Sequence, residues 1–276
     1  MAGQPLLPEL GEDESRGEIA LIYADIRATL GIPFVGLIYR TLAAEPGRLS
    51  EAWSRLRPYL SHPDIRGAAA ALDPGLRGAP HIAPVIGLPE VGFDRAFAER
   101  ASSTLAAYDH MNRLNLVGLT ALLGAHRPAS TAWRDSLEPV PPTQWAREDL
   151  LPMADLDALP DEERGLLLRI SEMILPSRGP VLVPSLLRHF ARPGLLRPLW
   201  RSLQPAIEGG FIASAAASLR GQAASVPIPA GIRIDPPVHA GIIETAERFV
   251  IATSTMVVTG AMLERALRGR PSPPTF

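Results

Sequence analysis

Residues 33–60 read PFVGLIYRTLAAEPGRLSEAWSRLRPYL, and residues 180–207 read PVLVPSLLRHFARPGLLRPLWRSLQPAI. Laying Pro33 on Pro180 brings Pro46, Gly47, Leu49, Trp53, Leu56 and Pro58 onto Pro193, Gly194, Leu196, Trp200, Leu203 and Pro205. In the first copy, Glu45-Pro46-Gly47 is a turn between a helix over about 34–44 and another over 49–57. A helical phrase written twice predicts two like helical units in one chain.

The flanking sequence has the same character. Ile19, Ile22, Tyr23, Ile26 and Leu30 recur at helical spacing, and Pro33 ends or kinks that helix. Ser15-Arg16-Gly17-Glu18 before it has the pattern of a capping box. Residues 61–93 are looser and rich in Pro, Gly and Ala. A long helix is expected over 93–125. A proline-rich linker follows at 128–160. Asp161-Glu162-Glu163 then places acid where a helix dipole favours it, with Leu167, Ile170 and Ile174 as an apolar face. After the second copy of the phrase, a Gly/Ala/Pro-rich loop runs to about 237 and a closing helix covers 238–268. Laying Tyr108 on Phe249 brings Asn112 onto Thr253 and Leu122 onto Leu263. The expected fold class is therefore all-α. Two tandem pseudo-repeats, 15–127 and 161–270, form a pseudo-dimer, and the groove between them is the natural place for a site.

Composition narrows the chemistry. The 276 residues are 46% hydrophobic and 20% charged, an ordinary globular mix. There is no cysteine, which removes thiolate nucleophiles and disulfides and fits a cytoplasmic location. There is no lysine either, which excludes Schiff-base chemistry and the P-loop lysine. A net charge of −2 argues against a nucleic-acid surface. The acidic N-terminus lacks the basic and apolar regions of a signal peptide. The apolar stretch 249–263 is short for a membrane span and holds three threonines and a serine, so it reads as a buried helix. The six histidines never fall three or four apart, so no helical metal pair exists, and no Gly-x-Ser-x-Gly, His-Glu-x-x-His or Gly-x-Gly-x-x-Gly motif occurs.

Several polar residues interrupt apolar faces. Tyr108, Asn112, Asn115 and Leu119 share one stripe of the long helix. A buried amide without a partner costs about 1–3 kcal/mol. Either both asparagines bond to backbone, or Asn112 holds a water or a substrate in the groove. Its counterpart Thr253 is also polar. Asp109 is a base if it points inward and a solvated acid otherwise. His110 reads as a surface residue. His189 replaces Leu42 of the first copy and lines either the groove or its polar rim. Arg188, Arg192, Arg197 and Arg201 form a solvated face, from which one arginine can neutralise a carboxylate. Trp53 and Trp200 are expected core anchors.

The stretch Ala24-Asp25-Ile26-Arg27-Ala28-Thr29-Leu30-Gly31-Ile32-Pro33-Phe34-Val35 resembles the opening helix of the group I 2-haloacid dehalogenases, the DehI type. So do Leu42-Ala43 with Pro46-Gly47, Ala52-Trp53, and Asn112…Leu116…Leu119-Thr120-Ala121-Leu122. The resemblance runs from about residue 15 to 268. It implies an all-helical enzyme of two pseudo-repeats with the active site between them and no metal or organic cofactor. It also implies an aspartate just after a Gly-Pro in the second repeat, which activates a water. That water attacks the halogen-bearing carbon directly and inverts it, and an asparagine on the long helix of the first repeat helps hold it.

Carried over by position, the asparagine is Asn112. The pocket-shaping aromatic after the proline is Phe34, where the active enzymes are expected to carry tryptophan. Leu37, Asn115, Val183 and Thr253 complete the expected substrate-binding set. The aspartate is missing. After Gly179-Pro180 the chain runs Val181-Leu182-Val183-Pro184, and the acid position holds Val183. Three readings stay open: a dehalogenase-like hydrolase with a displaced base, Asp109 or Glu244; a binder of a small carboxylic acid that does not hydrolyse it; or a paralogue with different chemistry. The expected partner is a small carboxylic acid, with no nucleic acid, no membrane, no metal and no cofactor. A homodimer stays open.

Overall fold

A computed structural model describes residues 5–82, 94–124, 145–176 and 179–268. Among them ten α-helices follow in order: α1 (Gly17–Leu30), α2 (Leu37–Ala43), α3 (Arg48–Leu60), α4 (Pro63–Ala71), α5 (Arg95–Leu122), α6 (Asp161–Ile174), α7 (Ser185–Phe190), α8 (Leu196–Glu208), α9 (Phe211–Ala223) and α10 (Ala240–Arg268). The strand-like pairing among these residues is an isolated bridge between Leu6 and Val181. The all-α class read from the sequence is the class observed. Helices α1–α5 measure 14, 7, 13, 9 and 28 residues, and α6–α10 measure 14, 6, 13, 13 and 29.

Local chemistry explains most of the boundaries. Helix α1 stops at Gly31, which takes φ +69° and returns its N–H to the Arg27 carbonyl at 2.9 Å. That left-handed conformation suits a residue without Cβ, so Gly31 ends the helix before Pro33 is reached. The expected capping box does not form. Arg16 is the N-cap, and the Ser15 hydroxyl donates backwards to the Glu12 carbonyl at 2.7 Å, because the chain already turns there. Asp94 caps α5 by accepting from the Phe97 N–H at 2.7 Å. Residues 83–93, where the long helix was expected to begin, lie outside the described residues. The acid run at 161–163 occupies the first turn of α6 as read.

Helices α4 and α9 lie in segments read as loose or as loop. Both are alanine-rich, PDIRGAAAA and FIASAAASLRGQA, and make helix from propensity with little large-side-chain periodicity to announce it.

Helix α5 packs most extensively against α10, and one buried apolar cluster draws on both halves of the chain. By length and composition, Ala240–Leu267 qualifies as a membrane span, with a mean hydropathy of 1.3, but 67% of that window is buried inside the protein. Trp53 is buried as expected, and its indole N–H donates to Asp25 at 2.7 Å. Trp200 is only half-buried, packed on the edge of the core.

Two further segments tie the halves together. Leu7 N–H donates to the Val181 carbonyl at 2.9 Å, Val181 N–H to Pro5 at 2.8 Å, and Leu10 N–H to Arg40 at 3.0 Å. Of the expected linker, residues 128–144 lie outside the described residues. The described remainder docks on α5: Leu150 and Leu151 are buried, and Leu151 N–H donates to the Thr104 hydroxyl at 2.9 Å.

Candidate active site

An inner cavity lies between the facing sides of α5 and α10, bordered by the starts of α2 and α7. Tyr108, Asn112 and Asn115 of α5 line one wall, and Phe249, Thr253 and Met256 of α10 line the other. Leu37 comes from α2, and Ser185 and Leu186 come from α7. Helical spacing produces the α5 wall: positions 108, 112 and 115 project from one stripe.

The polar groups here are unevenly satisfied. Asn115 is 2% exposed, and its Oδ1 accepts from the Tyr39 hydroxyl at 2.7 Å. Its Nδ2 is buried with no hydrogen-bond partner. Asn112 is 5% exposed, and its side chain makes no hydrogen bond to any described residue. Thr253 instead turns its hydroxyl to its own helix, donating to the Phe249 carbonyl at 2.7 Å. Gly36 lets α5 come close: a Cβ there would stand 2.9 Å from Met111 Sδ and 3.5 Å from Asn115 Nδ2.

Tyr108 lines both this cavity and an outer one, and so is the partition between them. Its ring stacks on Phe34 at 4.6 Å and meets His189 edge-on at 5.3 Å. His189 Nδ1 lies 2.6 Å from the Leu151 carbonyl, so that nitrogen carries the proton and donates. Nε2 is then the acceptor for the Tyr108 hydroxyl at 3.0 Å. Burial pushes His189 down to about 4, helped by the guanidinium groups of Arg188, Arg192 and Arg40, so the ring is neutral. Burial also raises the Tyr108 hydroxyl far above its ordinary value and keeps it protonated.

Arg40, 5% exposed, is the buried charge of the region. Its Nε pairs with Glu9 at 2.7 Å, Nη1 donates to the Val35 carbonyl at 2.6 Å, and Nη2 donates to Ser185 Oγ at 3.0 Å. A guanidinium therefore stands one hydrogen bond behind the inner cavity wall.

The expected site residues divide. Asn112, Asn115, Leu37 and Thr253 come together around the inner cavity. Phe34 lines the outer cavity, behind Tyr108. Val183 faces a separate cleft with Leu6, Leu7 and Leu156, because alternate side chains of the extended run 181–184 point opposite ways. The α7 side chains that reach the inner cavity are Ser185 and Leu186. Asp109 points away: its carboxylate pairs with Arg113 at 2.7 Å and lines neither cavity. Glu244 lines another surface cleft with Glu247 and Arg248. Among the described residues no carboxylate lines the inner cavity. None of them gathers three His, Asp or Glu side chains as metal ligands. His189 is buried, not at a rim, and His110 is part-buried, with Nε2 2.9 Å from the Leu30 carbonyl. The sequence reading missed Arg40, Ser185 and Leu186. A lone arginine inside the apolar run GLIYRTL was the available signal for the first.

No family model matches the chain. The configuration-inverting 2-haloacid dehalogenase of Alcaligenes xylosoxydans xylosoxydans is 31% identical over 184 residues, which are 63% of this chain and 61% of that enzyme's length. The (R)-2-haloacid dehalogenase of Pseudomonas putida is 35% identical over 77 residues, 25% of this chain and 26% of that protein. A crystal structure of a D-2-haloacid dehalogenase mutant superposes with a TM-score of 0.78 at 18% identity, covering 96% of this chain and 98% of that one. A D-2-haloacid dehalogenase in complex with L-LA superposes at 0.73 with the same coverage. The chain spans about three-fifths of the length of the configuration-inverting 2-haloacid dehalogenase that it is similar to in sequence, and its fold is similar to that of a D-2-haloacid dehalogenase.

Proposed function

We propose that the chain is a 2-haloacid dehalogenase-like hydrolase whose inner cavity receives a short 2-halocarboxylic acid. One observation carries the reading: Asn115 Nδ2, buried without a hydrogen-bond partner among the described residues, and the neighbouring Asn112 side chain, which bonds to none of them, line a largely apolar cavity. Such donors are costly unless a ligand or water takes them. A halocarboxylate matches both characters. Its carboxylate accepts from the amides, with Arg40 behind Ser185 supplying positive potential. Its halogen-bearing carbon lies against Leu186, Phe249 and Met256. Helices α1–α5 and α6–α10 are read as two copies of one unit, with this cavity at their junction.

In the reaction, a water oxygen bonds to the halogen-bearing carbon from the side opposite the halogen. The carbon–halogen bond breaks, the centre inverts, the halide leaves and the water gives up a proton. Among the described residues no carboxylate lines the inner cavity to take that proton, and Tyr108 already carries its own. General-base assistance typically contributes 10²–10⁴-fold, so turnover here is correspondingly slow. The same missing base favours a second reading, in which the cavity binds a short carboxylate without hydrolysing it.

Both enantiomers of 2-chloropropionate test the first reading. Halide release above a no-enzyme control supports it, and none removes it. A thermal-shift series with propionate, lactate and 2-chloropropionate tests binding, since a ligand of the folded state must raise the midpoint. A flat series removes both.

A further inference from the structure

The outer cavity carries a charge surplus that the reading above leaves unused. Arg40, Arg100 and Arg147 line it with one carboxylate, Glu12, together with Phe34, Tyr108 and His189. The carboxylates that reach the surrounding guanidinium groups are Glu9 and Glu12. Glu9 is shared between Arg40 at 2.7 Å and Arg188 at 3.2 Å. Glu12 is shared between Arg27 at 2.8 Å and Arg147 at 3.0 Å, and its other oxygen accepts from the Val35 N–H at 2.9 Å. Arg100 has no ion-pair partner among the described residues and rests on the Leu150 carbonyl. Arg192 lies over the Phe97 ring at 5.5 Å, also without a carboxylate among the described residues. Nη1 of Arg100 and Nη1 of Arg147 donate to no described residue. Glu148 and Asp149 follow Arg147 on the same turn but do not line the cavity. Six guanidinium groups therefore share two carboxylates, in a protein whose formal net charge is −2.

Guanidinium groups that outnumber their counter-charges repel one another, and low-dielectric walls focus their field on the space they enclose. Neutral His189 adds no charge and no repulsion toward an anion. Arg100 and Arg147 each retain an uncommitted N–H edge, the geometry that binds a carboxylate or a halide.

We propose that the outer cavity is a binding site for a small monovalent anion, a short-chain carboxylate or a halide, held between Arg100 and Arg147 with Arg40 behind. Anion binding there stands on the arginine geometry alone. Its role as antechamber to the inner cavity, with Tyr108 as the partition, rests on the dehalogenase-like reading.

Crystals of the full chain soaked in sodium bromide, and others in sodium propionate, locate the ligands directly. Titrations of each anion against gluconate at constant ionic strength follow the thermal midpoint. The expected result is anomalous bromide density between Arg100 and Arg147, with a midpoint rise for bromide, propionate or both. Bromide alone identifies a halide site, and propionate alone a carboxylate site. The double variant R100Q/R147Q weakens the apparent Kd about tenfold or more, as loss of charge-assisted hydrogen bonds does. Arg147 is 63% exposed and Arg100 holds only a carbonyl, so glutamine at both keeps a donor and the fold. R100K/R147K, which keeps the charge, restores part of the response. Density only in the inner cavity, or a response unchanged in R100Q/R147Q, overturns the proposal and leaves the function reading intact. The function reading fails separately, on halide release.

Discussion

The two long helices present equivalent positions to one cavity with different chemistry. Tyr108, Asn112 and Asn115 of α5 fall on Phe249, Thr253 and Met256 of α10, and all six line it. The α5 wall keeps the Asn115 amide N–H without a partner among the described residues, whereas Thr253 on α10 closes its hydroxyl onto its own helix. Beneath them, Leu37 and Ile38 of α2 fall on Pro184 and Ser185 of α7, again all lining the cavity. One wall is equipped to hold a polar ligand. The other supplies shape and, through Ser185, contact with the Arg40 charge. What neither wall supplies is a base.

The strongest way to break this contrast is to equip the second wall. Leu186 reaches the cavity from α7, whereas Val183 faces another cleft. Leu186→Asp is expected to raise halide release from 2-chloropropionate by at least about a hundredfold over wild type, within the usual range for a general base. Val183→Asp is expected to give no gain. Halide assays on both variants check this, with circular dichroism to confirm folding. A Val183→Asp enzyme that outruns Leu186→Asp would sink the placement.

The second contrast crosses the walls, since His189 of α7 holds Tyr108 of α5 by accepting a hydrogen bond from its hydroxyl. The histidine sits near 4 in the folded state, against an ordinary 6.5 when unfolded. Between those values the unfolded chain binds more protons. The stability that neutral His189 contributes is therefore full above pH 6.5 and is lost as the pH falls toward 4. The difference is on the order of 3 kcal/mol. His110, lowered in the same direction by burial, adds to the trend. Urea unfolding at pH 7 and pH 4.5 measures it, and His189→Gln should flatten the slope. An unchanged slope in that variant rules the histidine out as its source.

Much of this was legible in the sequence, for identifiable reasons. The doubled phrase marked α2–α3 and α7–α8, because proline, glycine and tryptophan are local signals that survive without context. Asn112, Asn115 and Thr253 were legible as cavity residues because helical periodicity alone puts them on an apolar stripe. The alanine helices were hidden because short side chains leave no hydrophobic pattern. Val183 was misplaced by a different cause. In an extended run neighbouring side chains point to opposite sides, so an uncertainty of one residue moves a side chain to another cavity. Arg40 and the arginine-lined cavity depend on Glu9, Glu12, Val35 and Ser185 meeting in space, which no spacing rule reveals.

Gly36 sharpens the contrast at smaller scale. It falls on Val183 of the second copy, and its missing side chain lets Met111 and Asn115 approach. Gly36→Val makes the first copy match the second at this position. The new atoms press on the buried Met111 side chain, and overpacking of this kind costs about 1–3 kcal/mol. Chemical denaturation should show the loss. A neutral result would mean that Met111 swings aside freely and that the close approach is incidental.

The finest test sets one wall's polar residue against the other's. Asn112 carries a buried amide without a partner, so Asn112→Leu removes a desolvation cost and should stabilise the empty protein by about 1 kcal/mol. Thr253→Val removes a hydroxyl already bonded to Phe249, so its stability change should be smaller, within about 0.5 kcal/mol in either direction. Ligand response separates them further. The thermal shift given by 2-chloropropionate should vanish in Asn112→Leu and persist in Thr253→Val. A structural amide predicts the opposite pattern at position 112, with loss of stability and an unchanged shift. Asn112 has no hydrogen-bond partner to lose among the described residues, so a gain in stability joined to a loss of binding is the signature of a side chain kept for its ligand.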